Sequence, residues 1–300
     1  MSIFTRRRAR AASAGTGPVE VGAPPRSLGV RWTEIDAADT PNHPDLMDRI
    51  EHRRHDGVTI TGVFTADECA VAVERLERFH DRRMPSMFGT MLGLPLANLA
   101  ALTDDPEDRS LYYEDAARCR EYYAEAFGFD PHDRVAEVLQ PMCGGLEVAY
   151  PTDGEHAYSA GNIRWYEPGM GHLKAHAGNE FKTHSDAVSA QLRSTTRTID
   201  HFSWFVVLQP PDEGGALSVY DLLFETHSPA DPDYGEQGRD DSDFDDQPHI
   251  KVSPEAGGMV FFGGGWRWHR VDPIVGSRPR ITYGGFAGPS TDGRSLNLWF

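Results

Sequence analysis

Residues 202–220 read Phe202-Ser-Trp-Phe-Val-Val-Leu-Gln-Pro-Pro-Asp-Glu-Gly-Gly-Ala-Leu-Ser-Val-Tyr220, which predicts two strands joined by a turn. β-Branched and aromatic residues fill both ends of the stretch, and Pro, Asp, Glu and Gly fill the connection. Similar runs occupy 162–166, 259–262 and 281–286, with Gly, Pro or Asp clusters between them. Because these runs do not alternate with helices, a parallel βαβ sheet is not indicated. We therefore predict an all-β sandwich or barrel after residue 150.

The chain before residue 150 has a helical pattern. Thr65-Ala-Asp-Glu68 is a capping-box sequence, and it opens a helix predicted to end near Arg82. Further helices are predicted over 107–129 and 131–143. Eight acidic residues between Asp231 and Asp246 predict a solvated insertion loop. The expected organisation is a flexible tail at 1–28 and a single domain at 29–300, with a helical part at 65–145, a barrel core at 150–300 and an acidic insertion at 229–248.

Composition excludes several classes of protein. The 300 residues carry 29 Lys and Arg against 46 Asp and Glu, a formal charge of −17 that disfavours binding to nucleic acids or anionic membranes. No apolar run reaches the roughly 18 residues of a membrane helix. Three cysteines without CxxC spacing argue against a zinc site or a disulfide scaffold and favour a cytoplasmic location. No dinucleotide-binding or P-loop motif is present, and the arginine-rich tail is not a secretory signal.

Two of the 13 histidines stand where strands are predicted to end at glycine-rich turns. His176 lies ten residues beyond Tyr166, and His269 follows the buried run and glycine turn that begin at Gly258. Two imidazoles on neighbouring strands of a jelly-roll barrel suit a mononuclear Fe(II) with open positions for a chelating cosubstrate and O₂. Arg280 and Thr282 share one face of the next predicted strand and suit the far carboxylate of 2-oxoglutarate. The ordered set predicts an iron and 2-oxoglutarate site.

The third protein ligand has two possible assignments. Non-haem iron oxygenases use a carboxylate in a His-x-Asp/Glu pattern, but Gly178 stands at that place after His176. His184-Ser-Asp186 does fit the pattern. That stretch also opens a short predicted helix, for which Ser185 and Asp186 are good N-cap residues. We favour His176 as the ligand and keep the second assignment as the alternative.

The glycine has a chemical consequence. Without a side chain at residue 178, a coordination position and a negative charge are missing beside the metal, and chloride supplies both. Oxidation of 2-oxoglutarate to succinate and CO₂ then drives hydrogen-atom abstraction from an unactivated aliphatic C–H, and the substrate radical collects chlorine instead of hydroxyl. The predicted function is chlorination of a small natural-product molecule. The alternatives are a 2-oxoglutarate-dependent hydroxylase and a non-catalytic jelly-roll binding protein.

Four motifs resemble the free-standing iron/2-oxoglutarate halogenases, a family that includes the enzyme of hapalindole- and welwitindolinone-type alkaloids. The similarity runs from about residue 33 to residue 300, and it implies a mainly β fold with flanking helices: a double-stranded β-helix (jelly-roll, cupin-like) core behind N-terminal helices. The motifs are His176-Ala-Gly-Asn-Glu-Phe181, Phe202-Ser-Trp-Phe205, Glu213-Gly-Gly-Ala-Leu-Ser-Val-Tyr220 and His269-Arg-Val-Asp-Pro-Ile-Val-Gly276 with Pro279-Arg-Ile-Thr282.

The resemblance also implies roles for single residues and a substrate that needs no carrier protein. Ser203 matches a serine close to the iron that helps to orient the oxo group, and Phe181 matches an aromatic residue of the pocket wall. Residues 84–96 would line the substrate pocket, but they differ from the alkaloid enzyme, so its substrate is not carried over. The remaining implied roles are iron ligation by His176 and His269, a halide position at Gly178, and binding of 2-oxoglutarate by Arg280 with Thr282.

Overall fold

A computed structural model describes residues 29–86, 89–102, 109–170, 172–182, 189–224 and 241–300. The helices are α1 (Leu46–Glu51), α2 (Ala66–Leu76), α3 (Ser110–Phe127), α4 (Pro131–Leu139), α5 (Gly178–Lys182) and α6 (Ala190–Thr195). The first strands are β1 (Trp32–Asp36), β2 (Gly57–Thr61), β3 (Met84–Ser86), β4 (Gly89–Leu92), β5 (Glu147–Ala149), β6 (Thr152–Asp153), β7 (His156–Ala157) and β8 (Asn162–Tyr166). They are followed by β9 (Phe202–Gln209), β10 (Glu213–Gly214), β11 (Leu217–Leu223), β12 (His249–Val252), β13 (Met259–Phe262), β14 (Arg267–Val271), β15 (Ile274–Val275), β16 (Arg280–Pro289) and β17 (Ser295–Trp299).

Two sheets form the β core. The larger has the strand order β1-β2-β13-β9-β16-β8-β4-β3, with β17 beside β16, and the smaller has the order β12-β11-β14. Apolar side chains of both sheets meet in one cluster, because alternation turns every second residue of each strand inward. This cluster comprises Leu217, Val219, Val252, Val260, Phe262 and Val271. The mainly β, jelly-roll prediction is confirmed.

Helices α2, α3 and α4 pack beside the larger sheet. Helix α2 begins at the predicted capping box, in which the Thr65 hydroxyl accepts from the Glu68 amide (3.1 Å) and the Glu68 carboxylate accepts from the Thr65 amide (2.7 Å). It packs against α3 and β9. Helix α4 begins at Pro131, whose missing amide proton costs nothing at a first helical position. Both helix starts agree with the sequence prediction.

Part of the predicted acidic insertion is anchored. Residues 229–240 lie outside the described part of the chain. At the far end of the insertion, Phe244 is buried and its ring lies 5.0 Å from Tyr220 and 5.1 Å from Trp268. Because Trp268 precedes His269, this end of the insertion packs behind the strand that carries the predicted ligand. No helix in the described residues is long and apolar enough to span a membrane.

A buried ion pair joins the N-terminal region to β14. The Asp56 carboxylate, 1% exposed, pairs with the Arg267 guanidinium and also accepts from the Arg31 amide (2.7 Å). Asp221 lies 3.4 Å from the same guanidinium. Because a buried charge without its partner is costly, loss of Asp56 would destabilise the contact between the N-terminal region and β14.

Asp56→Ala is expected to lower the free energy of unfolding by about 3 kcal/mol, since Arg267 would keep a buried charge with only Asp221 beside it. Urea denaturation of the protein without added iron measures this. Asp48→Ala is the matched control, because Asp48 makes an exposed pair with Arg54 and its loss should cost at most about 1 kcal/mol. Equal losses in the two variants would contradict the role given to the buried pair.

Candidate functional site

The fold brings His176 and His269 together. Their backbones form an isolated antiparallel bridge, in which each amide donates to the other residue's carbonyl at 2.9 Å. The two ring centroids are 4.2 Å apart and the ring planes are inclined at 54°. Strand β14 supplies His269, and the segment that leads into α5 supplies His176. Two histidines far apart in the sequence therefore form one pair.

Backbone carbonyls fix the tautomer of both rings. Nδ1 of His176 lies 2.8 Å from the Lys174 carbonyl, and Nδ1 of His269 lies 2.8 Å from the Arg267 carbonyl. A carbonyl only accepts, so each Nδ1 carries the proton and each Nε2 carries the lone pair. Burial lowers the pKa of His176 to about 4 and lowers the pKa of His269 well below its usual value. Both rings are neutral at pH 7, which is the metal-binding form.

The donor set fits an iron site with two protein ligands. Within the described ranges, no group of three His, Cys, Asp or Glu side chains could hold a metal ion. Two neutral imidazoles, each with its other nitrogen hydrogen-bonded to a carbonyl, are what a two-histidine centre requires. The remaining coordination positions would then belong to ligands that are not protein. His184 and Asp186, the alternative ligands, lie outside the described residues.

Gly178 stands where a third ligand would be carried, and packing around it leaves no space for a side chain. A Cβ atom built on Gly178 would lie 2.4 Å from Cε1 and 2.5 Å from Nε2 of His201. The glycine amide donates to the Gly264 carbonyl at 2.8 Å, which fixes the backbone. A side chain at residue 178 would therefore require the His201 ring to move.

A small cavity of about 130 Å³ joins the two histidines to Arg280 and Thr282. Arg280 and Thr282 lie two residues apart on β16, and both face the cavity as alternation predicted. The Arg280 guanidinium is 4% exposed and lies over the rings of Phe205 (4.7 Å) and Tyr166 (5.4 Å). Among the side chains that the structure describes, no carboxylate pairs with it, and burial lowers its pKa. A buried cation in this setting calls for an anion, and the 2-oxoglutarate carboxylate fits.

A larger cavity of about 530 Å³ opens from the same histidines. Gly178, His201 and Ser203 border it next to the His176–His269 pair, and most of its wall is apolar. Arg164 borders both cavities, and its Nε donates to Asn162 at 3.2 Å. Of residues 84–96, which were predicted to line the substrate pocket, Pro85, Ser86, Met91, Pro95 and Leu96 border this cavity. The outer wall adds Leu173, Leu192, Phe286, Trp299 and Phe300.

Six of the seven predicted site residues meet at these two cavities. They are His176, Gly178, Ser203, His269, Arg280 and Thr282. Phe181 belongs to α5, and its side chain is not among those described.

Sequence reasoning missed His201 and Arg164. Both could have been found from strand alternation, which places residues two apart on the same face. His201 lies two residues before Ser203, and Arg164 lies two residues before Tyr166 on a predicted strand.

Comparisons with known proteins identify the family and a similar fold. A family model described as carrier-protein-independent halogenase WelO5 matches residues 29–300. The fold is similar to the crystal structure of an N-substituted L-amino acid dioxygenase from Burkholderia ambifaria AMMD, with a TM-score of 0.53 and 15% identity over 87% of this chain and 91% of that chain. The structure of such a dioxygenase from the same organism with alpha-KG bound gives a TM-score of 0.52 at 16% identity, over 87% and 90% of the chains. No curated protein matches the sequence.

Proposed function

This chain belongs to the family of carrier-protein-independent halogenases described by the WelO5 model, and from that premise we propose that it is an Fe(II)/2-oxoglutarate-dependent halogenase. Its reaction is the chlorination of an unactivated aliphatic C–H of a free small molecule. One observation carries the proposal: a neutral histidine pair stands beside a glycine that cannot be replaced by a carboxylate without a clash. A hydroxylase of the usual kind would need that carboxylate as its third ligand.

The protein's own residues have separate tasks. His176 and His269 would hold the iron through Nε2, because a carbonyl occupies each Nδ1. Arg280 would take the far carboxylate of 2-oxoglutarate, with the Thr282 hydroxyl beside it. When bound, iron with 2-oxoglutarate, O₂ and chloride supplies the power to remove a hydrogen atom from the substrate and to deliver chlorine, with succinate and CO₂ as co-products. Gly178 leaves room for the chloride.

The larger cavity would hold the substrate. Its volume suits a small molecule, and the apolar wall would exclude water from the reacting C–H. Pro85, Ser86, Met91, Pro95 and Leu96 border this cavity and would help to aim the substrate toward the histidine pair. Ser203 borders both cavities, as the two histidines do, and its hydroxyl would orient the oxidant. Which product forms would depend on the direction from which the substrate C–H approaches.

The hydroxylase alternative makes a different prediction about chloride. Under anaerobic conditions, Fe(II) and 2-oxoglutarate should give the purified protein a weak metal-to-ligand charge-transfer band in the visible region. We expect chloride to shift this band saturably, because halide would enter the position beside Gly178, and sulfate at equal ionic strength should not shift it. A band that does not respond to chloride would overturn the halogenase proposal and return Asp186 to consideration as a ligand.

A further inference from the structure

His201 is held firmly beside the histidine pair. Its side chain is fully buried, and its Nδ1 donates to the Thr198 carbonyl at 3.0 Å. The ring meets Phe286 and Trp299 edge to face, with centroid distances of 5.0 and 6.2 Å. The backbone carbonyl of His201 accepts from the Gly265 amide at 2.8 Å. The ring therefore has little freedom to turn away.

The Cε1–Nε2 edge of this ring faces residue 178. Cε1 and Nε2 lie 2.4 and 2.5 Å from the place of a Cβ atom on Gly178, well inside the 3.4 Å of ordinary contact. The glycine backbone cannot retreat easily, because the Gly178 and Asn179 amides donate to the Gly264 and Gly265 carbonyls, each at 2.8 Å. Asn179 is bound in turn to Asp200, next to His201: its side chain accepts from the Asp200 amide at 2.9 Å and donates to the Asp200 carboxylate at 2.8 Å. The two sides of the contact belong to one hydrogen-bonded unit.

We propose that His201 is a positioning residue that keeps residue 178 free of a side chain and so keeps a coordination position open beside His176 and His269. The steric part of this proposal, that His201 excludes a side chain at residue 178, rests on packing alone. The identification of the open coordination position as a halide site rests on the proposed function. The His201 ring occupies the place of the Cβ atom through which residue 178 would have to carry a carboxylate, and not the coordination position itself. Whether the enzyme chlorinates or hydroxylates would then depend on Gly178 and His201 together and not on the glycine alone.

A double-mutant cycle on the protein without added iron tests the steric part. Asn is the suitable replacement for His201, because its amide nitrogen can reach the Thr198 carbonyl while the Cε1–Nε2 edge is removed. Gly178→Ala should lower the Tm of the otherwise unchanged protein by about 3–10 °C, as expected for overpacking. In the His201→Asn background, the same change should lower the Tm by less than about 2 °C. Equal losses in the two backgrounds would overturn the proposal.

Two further measurements keep the cycle interpretable. Gly263→Ala is the matched control, since a Cβ there would meet the Trp266 ring at 2.2 Å, and His201→Asn should not relieve that clash. If His201→Asn relieved both clashes, it would be loosening the packing of the protein in general, and the proposal would be overturned. If His201→Asn does not fold, a crystal structure of Gly178→Ala decides: a displaced His201 ring supports the proposal, and an unmoved ring refutes it.

Whether the open coordination position binds halide is tested with iron present. Gly178→Asp with His201→Asn should bind Fe(II) and give a 2-oxoglutarate band that no longer shifts with chloride, whereas Gly178→Asp alone should be destabilised. A chloride shift that persists in the double variant would overturn this part. The Tm cycle needs neither iron nor chloride, so it succeeds or fails independently of the halogenase proposal.

Discussion

His176→Ala and His269→Ala should each abolish stoichiometric binding of Fe(II), which is the largest effect that we expect from any single change at the site. Each histidine would supply one of two protein ligands, and among the described side chains no group of three His, Cys, Asp or Glu residues could hold the metal instead. Anaerobic reconstitution, removal of unbound metal and colorimetric iron determination measure the loss. Retention of one iron per chain in either variant would refute the assignment of that ligand.

Two controls separate ligation from general damage. His52→Ala removes an exposed histidine that bonds only within its own helix region and should leave iron binding unchanged. Asp186→Ala tests the alternative ligand. If Asp186 is a helix cap, as its sequence context indicates, the change should cost about 0.5–2 kcal/mol of stability and no iron. Loss of iron in Asp186→Ala, with retention in His176→Ala, would favour the hydroxylase assignment.

Arg280→Gln should weaken 2-oxoglutarate binding by about 100-fold or more, because the buried carboxylate would lose a charged partner worth about 3 kcal/mol. Arg280→Lys should fall between this variant and the unchanged protein, since an ammonium keeps the charge but lacks the planar fork. Anaerobic titration of the charge-transfer band with 2-oxoglutarate gives the affinities. Iron content should stay the same in all variants, which separates this effect from ligand loss.

The neighbouring Arg278 offers a matched control. It lies two residues earlier, but its side chain is about half exposed and pairs with Asp212. Arg278→Gln should therefore leave 2-oxoglutarate binding unchanged. An equal loss in both variants would mean that general charge near β16, and not the buried guanidinium, attracts the cosubstrate. Unchanged affinity in Arg280→Gln would place the far carboxylate elsewhere.

The sequence predicted the second half of the fold better than the first. Strands β8 and β13 have the predicted bounds, and β9, β11 and β16 are close to them, because turn residues mark their ends locally. The pairing of β1 with β2 and of β4 with β8 was not predicted. Such pairings depend on contacts between distant segments, which local periodicity does not contain.

The same distinction applies to the site. The histidine pair and Arg280 with Thr282 follow from residue type, order and alternation, all of which a sequence displays. The contact between His201 and Gly178 does not, because it depends on how α5 and β9 lie against each other. The sequence indicated that a ligand is missing at residue 178, and the structure adds that the His201 ring occupies the place of a Cβ atom there.

The close approach of His201 to Gly178 has a consequence for the evolution of such enzymes. An exchange of glycine for aspartate at residue 178 would by itself add the carboxylate that a hydroxylase of the usual kind uses as its third ligand. In this chain that exchange would first pass through a destabilised protein, because the ring at 201 must leave before a side chain at 178 can enter. The order of mutations is therefore constrained: loss of the imidazole opens the route, and gain of the carboxylate can only follow it.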